Sequence, residues 1–502
     1  MTHKMTISIS IANEDGQEIV KTFSEKEIPN LEEFEQQGFR RSFHQIETAV
    51  LEARKESCET AIAEYMTQIS KKKTDQKRSE QPESHIREQE HPYGIESELG
   101  TIAVKTHTLI DNQARTLYNS ANDLFESIMP RQRFHSNNYR ELELVIPSMT
   151  SYQNSEQLLN RVRRQKGTGA KKTTVRNTVE REGIAIKQKA HEIAGAALIE
   201  NGFTDEGIIK EGTVITGPDH DAQHLPKEDI MAAAEKNGIN GDIRFEDYEN
   251  PDTTVNISID DVLAKRQASN RPNSSEKGKR KYVSNTVVHI QQNENTYIIN
   301  EGSINKAIRL LLGFLLFNAL LAEKQLVFFV DGAKTIYDAV IARFSFLPFK
   351  FILDWYHLVE KLEQRLSMGM KGRKLRNEVL DQLRLYLWRG DVTAAIKYLA
   401  SIPSDQIKSQ EHIDKLKDYL LRNQAYIPCY ALRKELGLRN SSNTVEKSND
   451  LIVAQRQKSN GMSWSREGSV ALASVCATIK NGELAHWIED RSLAFTFSGL
   501  AA

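Results

Sequence analysis

The sequence predicts an α/β protein: a mixed sheet with helices on both faces and an all-helical insertion, preceded by a mainly helical region. Three observations favour this fold class. A strand and a β-hairpin come first, over about residues 253–299. A continuous apolar run, 326–330, and a second run that is expected to be buried, 349–353, then alternate with helical patterns, and apolar strands must be covered on both faces. About ninety residues with helical periodicity and no strand pattern follow.

Composition limits the class of protein. The chain has 502 residues, which gives a soft expectation of about three domains, and it is 39% hydrophobic and 27% charged. This balance is typical of globular proteins and excludes fibrous, collagen-like and wholly disordered classes. The 67 basic and 68 acidic side chains give a net charge of −1, so only local basic patches could bind a polyanion.

Cysteine content and hydropathy predict the compartment. Cys58, Cys429 and Cys476 are too few and too scattered for a disulfide scaffold or a zinc ribbon. The N-terminus lacks the apolar core of a secretion signal, and the most apolar stretch, 310–322, is shorter than the roughly 20 residues of a spanning helix. We therefore expect a reduced, cytoplasmic protein with no membrane partner.

The N-terminal half is expected to divide near residue 90. Residues 1–90 combine a strand, in which isoleucines alternate with polar residues up to Ile11, with a charged helix over about 31–70. The polar stretch 71–89 has almost nothing to bury, so it is a linker or a solvated helix end. Residues 91–250 are expected to be mainly helical.

Within that region, about residues 151–190 have the outline of a helix-turn-helix unit. Ser155 opens one helix, a break follows at Gly167 and Gly169, and a second helix starts at Thr173. The unit concentrates basic side chains, namely Arg161, Arg163, Arg164, Lys171, Lys172 and Arg176. If exposed, such a cluster would contact DNA phosphates. A solvated helical hairpin is the alternative interpretation.

Acidic residues recur at the ends of the predicted strands. Asp260, Asp331 and Asp354 each follow an apolar strand, and open α/β sheets bind their ligands at the carboxyl ends of the strands. Each aspartate alone could be an ordinary helix N-cap, and Asp331, in Asp-Gly before a helix, is a strong example. Their recurrence is more specific than any one of them.

A fourth acid completes a set that can hold hard cations. Glu446 lies in the first turns of a helix expected to run to about Arg456, with Asn443 or Thr444 as its cap. A plain capping acid is the alternative. Carboxylates bind Mg²⁺ or Mn²⁺ through oxygen, and two such ions about 3.5–4 Å apart stabilise both the attacking and the leaving oxygen of phosphodiester chemistry. The sequence therefore predicts a site for two Mg²⁺ or Mn²⁺ ions.

The order of these motifs resembles the DDE transposases of bacterial insertion sequences, in their Mutator-related group. The matching segments are Ser258–Val262, Val327–Ala333, Ile352–Leu358, and a series of short motifs between Leu438 and Ser465. The resemblance covers about residues 250–490 well and the N-terminal half loosely. Together the motifs are specific, although each is weak alone.

The resemblance implies an RNase H-like catalytic domain over residues 251–500, with a helical insertion at about 360–438. It also implies a metal-binding catalytic triad, which in this chain is Asp260, Asp331 and Glu446. Asp354 and His357 match the additional Asp-x-x-His element of the group and would also belong to the catalytic site.

Either of two adjacent aspartates could be the first metal ligand of that triad. Many relatives have Asp-Gly where this chain has Asp260 and Asp261, so either aspartate could be the ligand. Strand parity favours Asp260, because Ile257 and Ile259 would point inward and leave Asp260 on the opposite face with Ser258.

The activity that the resemblance implies is metal-dependent DNA strand cleavage and strand transfer at the ends of an insertion sequence. Its partners would be double-stranded DNA, as element ends and as target, and a second copy of the chain, and the protein would associate with the nucleoid. Basic residues must border the acids, and candidates are the loop at 266–280 together with Arg456 and Lys458. Trp464 would stack on a base, with core packing as the alternative.

Three other interpretations remain. One is a catalytically silent DNA-binding regulator derived from a transposase. Another is a different RNase H-like nuclease, such as a junction resolvase. In the third, every acid is a helix cap of a purely structural α/β protein.

Overall fold

The structure is a computed structural model, and it describes residues 3–80, 85–125, 133–164, 169–215, 217, 223–239, 243–267, 282–458 and 462–497. The chain divides into two compact units, Met1–Arg176 and Asn177–Ala502. Within the described ranges, no helix combines the length and the apolar character needed to cross a membrane.

The first unit contains two sheets and a long helix. Its strands are β1 (His3–Ala12), β2 (Glu18–Ile28), β3 (Arg87–Ser97), β4 (Gly100–Ile110), β5 (Thr116–Asn119) and β6 (Phe134–His135). Its helices are α1 (Leu31–Gln37), α2 (Phe39–Ser79), α3 (Ser120–Phe125), α4 (Asn137–Met149), α5 (Tyr152–Val162) and the first residues of α6 (Lys172–Glu200). β1 and β2 pair antiparallel, and the second sheet has the order β5-β4-β3-β6.

The N-terminal strand and helix are confirmed, but the expectation of a mainly helical region after residue 90 is wrong for its first part. The polar stretch is a solvated helix end up to Ser79, and a four-stranded sheet follows. β3 is polar in its first half, so its sequence lacks the apolar alternation that marks a strand. The sheet forms because Ile95, Ile102 and Val104 pack against α2 through Met66 and its neighbours.

The second unit contains a five-stranded sheet surrounded by helices. Its strands are β7 (Thr254–Lys265), β8 (Tyr282–Gln292), β9 (Asn295–Glu301), β10 (Gln325–Val330) and β11 (Phe349–Leu353). After α6, its helices up to the end of the sheet are α7 (Lys227–Lys236), α8 (Ile304–Phe317), α9 (Leu320–Glu323) and α10 (Lys334–Phe344).

After the sheet, the regular elements of the described residues are all helical. They are α11 (Trp355–Gly369), α12 (Arg373–Trp388), α13 (Val392–Ala400), α14 (Gln410–Arg422), α15 (Tyr430–Glu435), α16 (Asn443–Asn449), a π-helical turn (Asp450–Ala454), α17 (Gln455–Gln457), α18 (Arg466–Lys480) and α19 (Leu484–Asp490). Residues 355–442 are all described and contain helices and no strand, as the sequence predicts for the insertion.

The sheet is mixed, with the order β11-β10-β7-β8-β9. β7, β8 and β9 form an antiparallel meander, whereas β10 runs parallel to both β7 and β11. The predicted sequence of hairpin strands followed by strand–helix–strand units is therefore confirmed.

Helices cover both faces of this sheet, as predicted. On one face, Ile257, Ile259 and Phe328 join a core with α8 and α10. On the other face, Val327 and Phe329 pack against α11, α12, α13 and α14. The alternation of side chains along a strand separates the two cores and places Ser258 and Asp260 on the second face.

Candidate active site

Three parallel strands bring the predicted aspartates to one edge of the sheet. Asp331 directly follows β10, and Asp354 directly follows β11. The prediction that the first strand ends at Asp260 is wrong, since β7 continues to Lys265. These last residues of β7 pair only with β8, because the ladder to β10 stops at Ser258. Asp260 therefore lies just past the carboxyl end of the neighbouring parallel strand.

Asp260 and Asp261 point to opposite faces. The Asp260 Oδ2 atom accepts a hydrogen bond of 2.6 Å from the side-chain amide of Asn449, and Oδ1 accepts one of 2.8 Å from the Asp261 amide. The Asp261 carboxylate instead accepts a 2.5 Å hydrogen bond from the Thr286 hydroxyl, its cross-strand neighbour on β8. Asp260 thus faces α16, the helix that carries Glu446.

The helical run that carries Glu446 has the predicted extent but a different cap. It begins at Asn443, widens into a π-helical turn at Asp450–Ala454 and ends at Gln457. Its N-cap is Ser442, whose side chain does not cap the helix. Single π-turns inside helices are frequent at functional sites. The arrangement brings Asn449, the last residue of α16, into contact with Asp260.

Asp354 is fully buried, and its carboxylate is used inside the fold. Its Oδ1 atom accepts a 2.8 Å hydrogen bond from the His357 amide, which makes Asp354 the N-cap of α11. Its Oδ2 atom accepts hydrogen bonds from the amide and, at 2.9 Å, the hydroxyl of Ser442. The capping interpretation is therefore confirmed for this residue. Asp354 additionally fixes the start of α16 at the end of β11.

The acids share one electrostatic neighbourhood. Burial raises the pKa of Asp260, and the negative charge of Asp331 adds to the rise. Burial also raises the pKa of Glu446, and the charges of Asp354 and Asp260 contribute in the same direction. The ring of His357 opposes both shifts, with its Nε2 atom 3.6 Å from Glu446 Oε1.

This arrangement has the donor chemistry of a hard-cation site. Asp260, Asp331 and Glu446 offer only carboxylate oxygens, which Mg²⁺ and Mn²⁺ prefer. Burial, and to a lesser degree the neighbouring acids, raises the pKa of Asp260 and of Glu446, so a bound cation would favour their ionised forms. A buried amide oxygen of Asn449, beside Asp260, has no hydrogen-bond partner among the described residues. Those residues nevertheless contain no group of three His, Cys, Asp or Glu side chains already arranged to hold one ion.

Asp331 is also engaged locally. Its Oδ1 atom accepts a 2.7 Å hydrogen bond from the Ala333 amide in the turn that precedes α10. The formal N-cap of that helix is Ala333, so Asp331 shapes the turn without being the cap itself. Its second oxygen has no hydrogen bond to any described residue in the structure, and it borders an open cleft.

Three of the residues predicted to contact DNA are buried, which corrects those predictions. Arg163 is enclosed by an ion pair with Glu96 at 2.5 Å, and its guanidinium lies 4.1 Å from the centre of the Tyr139 ring. Arg456 and Trp464 stack on each other at 5.1 Å inside the second unit. The Trp464 indole donates a 3.0 Å hydrogen bond to the Gln457 carbonyl, which confirms core packing instead of base stacking.

The other predicted DNA contacts are exposed side chains: Arg161, Arg164, Lys171, Lys172, Arg176 and Lys458. The predicted pair of helices is present as α5 and α6, but α6 is 29 residues long, and the unit boundary after Arg176 falls inside it. Most of the basic loop after the first strand, residues 268–281, lies outside the described residues, as do Gly167 and its neighbours.

Two residues of the site were not singled out from the sequence, namely Ser442 and Asn449. Both lie in the same short segment as Glu446, which was the available signal. Their roles depend on contacts with Asp354 and Asp260, which are 88 and 189 residues away in sequence. Such contacts cannot be read from local spacing.

Comparisons with known proteins give little support for any particular fold family or function. No protein-family model matches the sequence, and no curated protein matches it. Among solved structures, the chain is similar to the Drosophila P element transposase strand transfer complex, at 11% identity over 71% of this chain and 89% of that one. The TM-score is 0.19, and a likeness this weak carries no argument about fold or function.

Proposed function

We propose that this chain is a DDE transposase of the bacterial, Mutator-related type, which cleaves and joins DNA strands at the ends of an insertion sequence. The observation that carries the proposal is that Asp260, Asp331 and Glu446 share one edge and one electrostatic neighbourhood of the mixed sheet. They come from three different elements, as the sequence resemblance requires.

The fold supports an RNase H-like catalytic domain. The antiparallel meander is extended by two parallel strands, helices cover both faces, and an all-helical segment separates β11 from the helix that carries Glu446. This is the order of elements that the resemblance implies for the domain. It also accounts for the long separation between the second and third acids.

In this proposal Asp260, Asp331 and Glu446 hold two Mg²⁺ or Mn²⁺ ions. Asp260 is preferred to Asp261, because only Asp260 faces the helix of Glu446. Such ions would supply the activation of water or of a DNA 3′-hydroxyl and the stabilisation of the leaving 3′-oxygen. Asn449 donates to Asp260 and holds one oxygen of that carboxylate in place.

Asp354 and His357 have supporting roles in the proposed reaction. Asp354 is a positioning residue, because its buried carboxylate ties Ser442 and hence the start of the Glu446 helix to the sheet. The His357 ring lies against Glu446 and opposes the rise that burial causes in the pKa of Glu446, which favours the ionised form that binds a cation.

DNA binding is proposed for the exposed basic residues. Arg161, Arg164, Lys171, Lys172 and Arg176 would contact phosphates from the first unit, and Lys458 would do so near the acids. Because two element ends must be joined, a second copy of the chain is the proposed protein partner. Nucleoid association would follow from this affinity for DNA.

A specific observation favours a second candidate function, that of a catalytically silent DNA-binding regulator. Among the described residues, no three His, Cys, Asp or Glu side chains are already arranged to hold a metal ion. The carboxylate of Asp354 caps the N-terminus of α11. A protein of this kind would bind the same DNA ends without cutting them.

The two candidates are separated by a cleavage assay on the purified full chain. A plasmid that carries the DNA flanking this gene is incubated with Mg²⁺, Mn²⁺, Ca²⁺ or a chelator. We expect nicks at the element ends with Mg²⁺ or Mn²⁺, strand transfer that requires the free 3′-hydroxyl, and no product with the chelator. Binding without cleavage in either metal would overturn the transposase proposal in favour of the regulator.

A further inference from the structure

A cleft lies beside Asp331, and apart from Asp331 itself its lining residues have no part in the proposed catalytic chemistry. One wall is the turn from Asp331 to Ala333, and the others are α11 and α14 of the helical insertion. The side chains that these helices contribute are Lys361, Arg365, Lys415, Asp418, Tyr419 and Arg422. The insertion therefore reaches the edge of the sheet at which the acids lie.

The cleft is predominantly cationic. Four basic side chains face two carboxylates, those of Asp331 and Asp418. Lys415 pairs with Glu411 on its own helix, and Arg365 contacts the His412 ring. Lys361 and Arg422 form no ion pair with any described residue, although Arg422 lies over the Tyr419 ring. At least two cationic groups are thus available to an anionic ligand.

A buried hydroxyl gives a second, independent indication of a ligand. Tyr419 is 7% exposed, and its hydroxyl has no hydrogen-bond partner among the described residues. The hydroxyl lies close to Gly332, where an added Cβ atom would come within 2.8 Å of it. Buried polar groups are normally paired, so an unpaired hydroxyl at a cleft wall favours an absent partner.

We infer that this cleft binds the sugar–phosphate backbone of the DNA strand on which Asp331 acts. The inference rests on the proposed function, because it assigns a path to that strand. A strand that approaches a group of carboxylates is repelled, and cationic groups next to Asp331 offset this repulsion. Arg422 would contact a phosphate through paired N–H groups, Lys361 as a point charge, and Tyr419 through its hydroxyl.

The test measures DNA binding without cleavage. The double variant Lys361→Gln/Arg422→Gln is compared with the control Lys397→Gln/Lys408→Gln, which removes two exposed charges elsewhere in the insertion. Fluorescence anisotropy with labelled element-end DNA, in chelator, gives affinities at several salt concentrations. We expect binding about tenfold weaker for the cleft variant and a salt slope reduced by about two, since each lost phosphate contact contributes about 0.9. An affinity and a slope equal to those of the control would overturn the inference.

The hydroxyl has its own test. Tyr419→Phe keeps the ring and removes a group without a partner among the described residues, so the unfolding midpoint should not fall. DNA affinity should weaken by about tenfold, the loss of one hydrogen bond to a charged group. A lower unfolding midpoint with unchanged affinity would show that the hydroxyl serves the fold and would contradict the inference.

Failure of this inference is distinguishable from failure of the proposed function. If the wild type never cleaves DNA but the cleft variant loses affinity and slope, the cleft still binds DNA and only the catalytic proposal fails. If the wild type cleaves and the cleft variant binds and cleaves as the control does, the catalytic proposal stands and the cleft assignment is wrong.

Discussion

The Asp354 carboxylate accepts two hydrogen bonds from Ser442, one from its amide and one of 2.9 Å from its hydroxyl. Both residues are buried, and they lie 88 positions apart in the sequence. These hydrogen bonds therefore join the end of β11 to the start of the Glu446 helix. Asp354, which the sequence resemblance places in the catalytic site, thus contacts the residue that begins the segment of Glu446.

The first prediction concerns this link. Ser442→Ala should lower the free energy of unfolding by about 1–3 kcal/mol, because it removes a buried hydrogen bond to a charged acceptor. Asp354→Asn should cost more, since its amide group would face the Ser442 amide, another donor. Both variants should reduce kcat for DNA nicking with little change in DNA affinity, measured by gel assay and anisotropy. If both kept the kcat of the wild type, Asp354 would have no positioning role.

The second prediction concerns a buried ion pair behind the site. Arg433 is completely buried and donates two 2.6 Å hydrogen bonds to Glu249, and it also binds the Arg439 carbonyl in the segment that leads to Glu446. Arg433→Met removes both guanidinium hydrogen bonds to Glu249 and leaves the Lys350 ammonium, 4.0 Å away, as a remaining cation beside that carboxylate. Removing one partner of a buried ion pair typically costs about 3–5 kcal/mol. Urea unfolding should show this loss.

The control for Arg433 is an exposed ion pair of the same unit. Lys236 contacts Glu435 at 2.5 Å with most of its side chain in solvent, so Lys236→Met should leave the unfolding curve unchanged. The double variant Arg433→Met/Glu249→Met should recover part of the lost stability. Equal effects of the Arg433 and Lys236 substitutions would contradict the account.

The third prediction is a pH dependence of stability. Burial raises the pKa of Glu483 to about 7, although Tyr297 and the Phe495 amide donate hydrogen bonds to its carboxylate. In the unfolded chain a glutamate titrates near 4.5. The folded state therefore holds the proton more tightly, and its contribution to stability is complete below about pH 4.5 and is lost as the pH rises through 7.

Replacement of Glu483 by Gln should remove this loss. Between pH 5 and pH 8 the wild type should lose about 2–3 kcal/mol more free energy of unfolding than Glu483→Gln, measured by denaturant titration at each pH. Glu489→Gln, an exposed change on α19, the helix that Glu483 directly precedes, should follow the wild-type profile. Parallel profiles for all three proteins would show that Glu483 is not protonated in the fold.

The sheet of the second unit could be predicted because its buried strands appear in the sequence as runs of apolar residues. β10 is apolar after Gln325, and β11 is apolar apart from Lys350, so the acids after these strands are visible as breaks in that pattern. The end of β7 could not be predicted in the same way. Its last residues pair with β8 alone, and two consecutive aspartates, Asp260 and Asp261, interrupt its apolar pattern, so Asp260 resembled a strand terminus.

Burial of charged and aromatic side chains was the main feature that could not be predicted. Arg163 looked like one more member of a basic cluster, but its partner Glu96 lies 67 residues earlier. Arg456 and Trp464 looked like a DNA-binding pair, yet they are buried and stack on each other inside the fold. Composition gives the number of charges in a segment, and only tertiary contacts decide which of them face solvent.

The most direct test of the central claim compares Asp331→Asn with Asp338→Asn in the nicking assay on element-end DNA. The first substitution keeps an acceptor for the Ala333 amide but removes the charge that would hold a cation, whereas Asp338 is an exposed acid seven residues further on. We predict that Asp331→Asn binds DNA as the wild type does and nicks it at least about 100-fold more slowly in Mg²⁺ and Mn²⁺, since even an outer-shell change costs about 10–100-fold. Asp338→Asn should nick at the wild-type rate. Equal nicking by Asp331→Asn and the wild type would contradict the metal-binding role of Asp331 and, with it, the proposed triad.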